Sequence, residues 1–434
     1  MTEPTTPTLL VLGAGPKALA VAAKAKVMAD LGLPAPRVVA VDTHAVAANW
    51  QPIGGWTDGR HRLGTSPEKD VGFPYRGAVH RGTETDVNRG MLAYSWMSFL
   101  VEHQTYTEWV DRGRPHPQHN VWARYLTWVA DRVELDLRVG RVTEIAADED
   151  TWSLRLADGT EVVGDQLMIT GPGSSASSFL DDDRVLSVSR FWDLVPTRDL
   201  PASSRAAVVG GGETAGSVLD ELVRHDIMTI SAIAPGATIY TRGESYFENA
   251  LFSDPTGWPS MAAAERRDLI RRTDRGVFSV RVQESLLSDH RVHHLQGRVT
   301  AARRVEDLVE LTLTNDGRGA STQAFDLVVD ATGGQPLWFT DLMTPDTLDL
   351  IELALGPAAS ASGPTMTALE ESIDSRLAVG SLTPTLFLPN LAGFAQGPGF
   401  PNLSCLGELS NRVVRGSLEE AGALGRPRAG VVRR

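Results

Sequence analysis

Gly13-Ala14-Gly15-Pro16-Lys17-Ala18 and Gly210-Gly211-Gly212-Glu213-Thr214-Ala215 repeat one spacing, in which two glycines flank a single residue and an alanine follows three positions on. Such a turn lets backbone come close to a pyrophosphate, and the helix behind it turns its free first-turn N–H groups toward the anion. The chemistry on offer is the binding of two dinucleotides. The strand after the first turn, Val38-Val39-Ala40-Val41, ends at Asp42, whose carboxylate can accept hydrogen bonds from both hydroxyls of an adenosine ribose. The strand after the second turn, Thr229 to Pro235, ends with no acid. A carboxylate there would repel a 2′-phosphate, so its loss near Arg224, Arg242 and Arg275 favours NADP(H) at the second turn. Asp42 then marks the first turn as the FAD site. On this reading Gly13, Gly15, Pro16, Lys17 and Asp42 hold FAD, while Gly210, Gly212, Glu213, Thr214, Arg242 and Arg275 hold NADPH. Which arginine takes the 2′-phosphate stays open.

Two such sites imply hydride transfer from NADPH to FAD, and the next question is what the reduced flavin does. The single cysteine, Cys405, excludes an internal disulfide, a CxxC redox pair and a thiolate metal site. With a disulfide acceptor gone, molecular oxygen or a small diffusible acceptor remains. Ser189-Arg190-Phe191-Trp192-Asp193 holds only part of the FxGxxxHxxxW pattern of Baeyer–Villiger enzymes and has no histidine. His290, His293 and His294 lack the carboxylates or thiolates that would complete a metal site and read as a solvated strand edge, so no metal is expected. A net charge of -13 over 434 residues argues against nucleic acid or an anionic membrane as partner. The stretch Met1 to Thr8 lacks a basic-then-apolar layout, and no apolar run approaches membrane-spanning length, so a cytoplasmic location is expected.

These groups need scaffolding. Leu9 to Leu12 is an apolar strand running into the first turn, and a helical pattern follows from Leu19 to Leu31. The Gly-, Pro- and Trp-rich stretch from Asn49 to Pro74 reads as an ordered lid over flavin and substrate, with Trp50 and Gln51 against the cofactor. Residues 87–135 turn helical, with Met91, Tyr94, Met97, Leu100, Trp122, Tyr125, Leu126 and Val129 as a core-packing stripe. A small meander from 135 to 163 leads to an apolar strand at 166–169, and the Ser- and Asp-rich run 174–190 reads as a linker. After the second turn a further meander at 291–330 ends at Ala331-Thr332-Gly333 and sends the chain back to the first domain. A last helix is expected to reach about Val414. The fold class is α/β, with two Rossmann-like dinucleotide-binding domains, for FAD and NADPH, and a small substrate-binding region. The boundaries expected are 1–195 for the FAD domain with its loop at 50–74, 196–334 for the NADPH domain, and 335–434 for the return and the substrate-binding region.

Nearly the whole chain resembles the flavin-dependent N-hydroxylating monooxygenases of siderophore synthesis, most closely the lysine N6-hydroxylases of the mycobactin and nocobactin pathways. Besides both glycine turns, the likeness is carried by Ala48-Asn49-Trp50-Gln51, Gly55-Trp56-Thr57-Asp58-Gly59, Leu63 to Pro74, Phe247-Glu248-Asn249, and Gln396 to Ser404. The resemblance implies that NADPH reduces FAD, that oxygen adds to form a C4a-hydroperoxyflavin shielded by NADP⁺, and that a neutral lysine amine attacks its distal oxygen. It implies that the protein supplies no catalytic nucleophile of its own. Lys69 resembles the lysine that pairs with the substrate carboxylate, Asn249 the asparagine at the amino-acid end, and Ser404 the serine near the substrate amine and the isoalloxazine. Asp274 stands where relatives acting on ornithine often carry a substrate-side asparagine, Gly64 where they often carry glutamine, and Gly334 where a tyrosine is common. The expected partners are the small molecules L-lysine and oxygen, in a homo-oligomer. Ornithine N5-hydroxylation and NADPH oxidation with release of peroxide are the alternatives.

Overall fold

Leu9, Leu10 and Val11 are wholly buried because the strand Thr8–Leu12 lies at the centre of a parallel sheet covered on both faces. Such a strand reads as a continuous apolar run. The structure, a computed structural model, describes residues 6–273, 276–315, 319–356 and 364–422. The sheet runs in the order Leu386–Phe387, Gln166–Ile169, Thr8–Leu12, Arg37–Asp42, Asp136–Val139, every pair parallel. A second parallel sheet runs Val292–Gln296, Thr229–Ala234, Arg205–Val209, Leu327–Asp330, Val185–Ser187. In both sheets a glycine turn follows an inner strand, the place where α/β sheets bind nucleotides. The first sheet takes its edge strand Leu386–Phe387 from beyond the second, so the second nucleotide fold interrupts the first.

Helix Pro16–Asp30 is apolar nearly all round, and its small residues from Ala18 to Ala25 allow close approach to neighbours. It packs against the sheet and against the C-terminal helix Leu406–Glu420, which continues past the expected end at Val414. Two antiparallel three-stranded meanders, 142–164 and 298–325, accompany the sheets. In the second, Val309, Leu311 and Leu313 alternate inward onto Val209, Ile233 and Val328. His293 and His294 are exposed on the edge strand of the second sheet.

The helical region is four helices, Glu84–Leu92, Trp96–Glu102, Tyr106–Asp111 and His119–Arg132. Their aromatic residues do pack the core: Trp96 lies against Phe99, Trp109, Trp122 and Tyr125. The run 174–190 is more than a linker. Val185–Ser187 pairs with Leu327–Asp330, and Ser187 caps helix Val188–Thr197 by accepting from the Arg190 N–H at 3.3 Å. The second sheet thus begins ahead of the boundary expected at 195. No helix among the described residues is long and apolar enough to cross a membrane.

Candidate active site

At the first turn Gly13 adopts φ +105, and a Cβ there would collide with the Thr170 hydroxyl. Only glycine fits. Asp42 accepts from the Ala14 N–H at 2.9 Å and the His44 N–H at 3.1 Å, which braces the turn and leaves each oxygen further lone pairs for a ribose. Helix Pro16–Asp30 begins at Gly15 with no side-chain cap, so its first-turn N–H groups face outward as an anion site. The Lys17 ammonium donates to Asn390 Oδ1 at 2.5 Å and the Pro401 carbonyl at 2.6 Å. It fastens the turn to the returning C-terminal segment.

A cavity of about 480 Å³ opens over this turn, within the ~300–1,000 Å³ range of ligand sites. Its wall includes Gly13 to Lys17, Asp42, Trp50, Trp56 and, from the second fold, Thr214 and Arg242. Trp56 Nε1 is buried there without a hydrogen-bond partner. A buried donor so left costs ~1–3 kcal/mol, and a nucleotide or flavin acceptor would satisfy it. Glycine cradle, uncapped helix, Asp42 and orphaned indole together fit a dinucleotide. Gln51 is not among the lining residues; its amide donates to the Val46 carbonyl at 3.1 Å and braces the loop.

Three residues far apart in sequence meet just outside the lining of this cavity, near its Arg242 and next to its Leu403. The Lys69 ammonium donates to Asn249 Oδ1 at 2.7 Å and lies 3.5 Å from the Ser404 hydroxyl. The loop carrying Lys69 is pinned by its neighbour Asp70, which is buried and accepts from the Tyr75 hydroxyl at 2.6 Å, the Gly72 N–H at 3.1 Å and the Trp96 N–H at 2.8 Å. Burial pushes the Asp70 carboxyl up to about 6 despite these donors. Asn249 sits on helix Tyr246–Ser253, whose start is fixed by a Ser245/Glu248 capping box, and its amide donates to the Glu244 carbonyl at 2.8 Å. The last helix begins at Cys405 with no side-chain cap, so the Ser404 hydroxyl is not spent as a helix cap. Burial, then the charge of Arg242, lowers the Lys69 ammonium below the ordinary lysine value, and Glu244 partly offsets them. The structure thus brings Ser404 beside Lys69 and Asn249.

At the second turn Gly210 has φ +145, and a Cβ would run into the Ala331 carbonyl. Gly212 opens helix Glu213–Leu222 without a side-chain cap, the same anion-binding arrangement. Glu213 is engaged with protein: it accepts from the Ser279 N–H at 2.6 Å and the Ser279 hydroxyl at 2.8 Å. A Cβ on Gly64 would lie 2.9 Å from Glu213 Oε1, so a side chain there must shift the carboxylate that Ser279 holds. Likewise a Cβ on Gly334 would overlap the Pro172 carbonyl. Arg224, in the turn after helix Glu213–Leu222, pairs with Asp220 at 2.9 Å and Glu221 at 2.6 Å on that helix. Arg242 lines the main cavity with its guanidinium 5.8 Å over the Phe252 ring, close enough to Lys69 to weaken that charge. Asp274 and Arg275 lie outside the described residues. Sequence reasoning missed His61, His119 and Asn390, which also line the cavity.

The chain matches the model of the L-lysine 6-monooxygenase/L-ornithine 5-monooxygenase family over residues 90–336. It is 52% identical over 416 residues to the L-lysine N6-monooxygenase MbtG of Mycolicibacterium paratuberculosis, covering 95% of this chain and 96% of that one. The chain belongs to this family. MbtG of Mycobacterium tuberculosis is 53% identical over 413 residues, covering 94% of each chain. Among solved structures, the lysine monooxygenase NbtG of Nocardia farcinica superposes with a TM-score of 0.86 at 60% identity, over 94% of this chain and all (100%) of that one. An ornithine N-hydroxylase from Kutzneria sp. 744, KtzI, shares the fold at a TM-score of 0.73 and 19% identity, over 96% of this chain and 100% of that one.

Proposed function

We propose that this family member binds FAD at the first glycine turn and NADPH at the second and hydroxylates the side-chain nitrogen of L-lysine. The product, N6-hydroxylysine, supplies hydroxamate groups for an iron-chelating siderophore. The observation that carries the reading is the meeting of Lys69, Asn249 and Ser404 beside a cavity shared by both nucleotide folds. FAD would lie along Gly13 to Pro16 and Asp42 beneath Trp50 and Trp56, and NADPH along Gly210 to Thr214. Bound and reduced by NADPH, the flavin supplies activated oxygen.

The chain's own residues bind, orient and exclude water. Lys69 presents a cation to the substrate carboxylate, with Asn249 and Ser404 completing the polar rim. At the other end only a neutral amine has the lone pair to react. Free lysine has a side-chain pKa near 10.4, so roughly one amine in a thousand is neutral near pH 7. A carboxylate near the amine would worsen this. Asp42 and Glu213 both line the cavity, but each already accepts hydrogen bonds from protein donors. Desolvation is left to favour the neutral form.

We place the flavin fold at 1 to about 182 with 335–434, and the NADPH fold between them, on the strand membership of Val185–Ser187. The enzyme works in the cytoplasm as a homo-oligomer; Tyr246 and Phe247, each 80% exposed, offer apolar surface that self-association would cover, and sedimentation tests this. The activity is tested by product analysis with purified protein, FAD, NADPH and free lysine or ornithine. Hydroxylamine formed from lysine in preference to ornithine supports the reading. Oxygen consumption yielding only peroxide overturns it in favour of an oxidase.

A further inference from the structure

His61, on the loop of the flavin fold, is buried between two helices of the NADPH fold. Its side chain and that of Asp220 are only 5% and 4% exposed, and Asp220 Oδ2 lies 3.4 Å from His61 Nδ1. On the opposite edge of the ring, Arg281 Nη2 is 2.6 Å from His61 Nε2. Asp220 belongs to helix Glu213–Leu222 and Arg281 to helix Val280–Leu286. A guanidinium has only donors. His61 Nε2 must therefore accept, which puts the imidazole proton on Nδ1, facing the Asp220 carboxylate. Burial works to raise that carboxyl, but donors from His61 and Ser285 and the charge of Arg224 hold it well below the usual range. One neutral tautomer thus satisfies a carboxylate on one helix and a cation on another.

On its own side His61 belongs firmly to the flavin fold. Its carbonyl accepts from the His119 N–H at 2.8 Å, and the neighbouring Leu63 N–H donates to the Pro117 carbonyl at 2.9 Å. Its ring meets His119 edge-to-face at 5.2 Å, and His119 meets Trp50 at 4.9 Å. All three line the cofactor cavity. A continuous path of side chains therefore runs from two helices of the NADPH fold to the wall against which the flavin is placed.

We propose that His61, Asp220 and Arg281 form the joint that fixes the NADPH fold against the flavin fold, with His61 a positioning residue for flavin reduction. This rests on the assignment of the two cofactors above. Hydride transfer needs its two atoms held near contact, and a misplacement of about 1 Å can cost ~10²-fold in rate.

The test is a double-mutant cycle on the flavin-loaded protein, read by rapid anaerobic mixing with NADPH. His61→Ala and Arg281→Met should each slow the limiting rate of flavin reduction by about 10- to 100-fold, and the double variant should be no slower than the slower single, since both break one contact. His61→Gln, whose Oε1 can accept from Arg281 in place of Nε2, should recover most of the rate. Should His61→Ala fail to retain flavin, His61→Leu takes its place in the cycle. Amide exchange should quicken in both 57–65 and 213–222 in either disruptive variant. Limiting reduction at the unmodified rate, effects that multiply in the double variant, or unchanged exchange in both segments would each overturn the joint. A parent protein whose flavin NADPH does not reduce would overturn the cofactor assignment instead.

Discussion

Lys69→Ala removes the cation proposed to receive the substrate carboxylate. A charge-assisted hydrogen bond is worth about 1.5–3 kcal/mol, and a buried carboxylate stripped of its partner costs about 3–5 kcal/mol. The upper range applies only where water cannot replace the ammonium, and Lys69 is buried enough for its own charge to be disfavoured. At 1.4 kcal/mol per decade, a loss of about 3–4 kcal/mol raises the lysine KM by about 10²- to 10³-fold. Flavin reduction by NADPH draws on neither Lys69 nor the substrate carboxylate, so its limiting rate should stay within about twofold, an effect below ~0.5 kcal/mol. The diamine cadaverine has the same five-carbon chain and no carboxylate; its turnover should fall by no more than about threefold, because the lost interaction was never available to it. Steady-state kinetics with both amines, beside rapid-mixing measurement of flavin reduction, separate these effects. An unchanged lysine KM, or an equal loss for cadaverine, would refute the assignment.

Gly13→Ala forces a Cβ into the Thr170 hydroxyl at φ +105, and the purified protein should carry little flavin by absorbance while keeping its far-ultraviolet helix signal; normal flavin content would contradict the cradle. Gly64→Ala puts a Cβ 2.9 Å from Glu213 Oε1 and should raise the NADPH KM with flavin content preserved; no change would mean the two folds are not closed there during turnover. Asp70 titrates at about 6 in the folded protein against 3.8 for an ordinary aspartate. Its native state binds the proton more tightly, so this group adds stability as pH falls from 7 toward 4, by up to about 3 kcal/mol at 1.36 kcal/mol per unit. Relative to Asp70→Asn, the parent should therefore gain melting temperature between pH 7 and pH 5; a relative loss would reverse the sign and sink the reading.

What could be read from sequence was local. The strand Thr8–Leu12, its glycine turn and Asp42 lie within one continuous stretch, so spacing alone exposes them. Lys69, Asn249 and Ser404 are separated by 180 and 335 positions from Lys69, and nothing around Asn249 or Ser404 marks them without a family to compare. The pairing of Arg224 was legible: Asp220 and Glu221 stand four and three residues before it, across the end of helix Glu213–Leu222. Val185–Ser187 is too short for a periodic signal, and pairing with Leu327–Asp330 makes it a strand. His61, Asp220 and Arg281 were invisible because each is an ordinary polar residue until packing of the two folds buries them together.

Chain-length choice follows from where the anchor stands. One methylene in an apolar pocket is worth only about 1–3 kcal/mol, a discrimination of roughly 10- to 200-fold. To obtain even that between lysine and ornithine, the distance from the carboxylate anchor to the reacting oxygen must be fixed. Lys69 is held from below by the buried Asp70, whose donors come from Gly72, Tyr75 and Trp96. A few residues upstream, His61 and Gly64 press the same loop against the NADPH fold, through Asp220, Arg281 and Glu213. The glycine turns fix only the cofactors. If Lys69 takes the substrate carboxylate as proposed, the loop 57–75, which runs from the His61 contact with the second fold to Lys69, sets how deep an amine must reach.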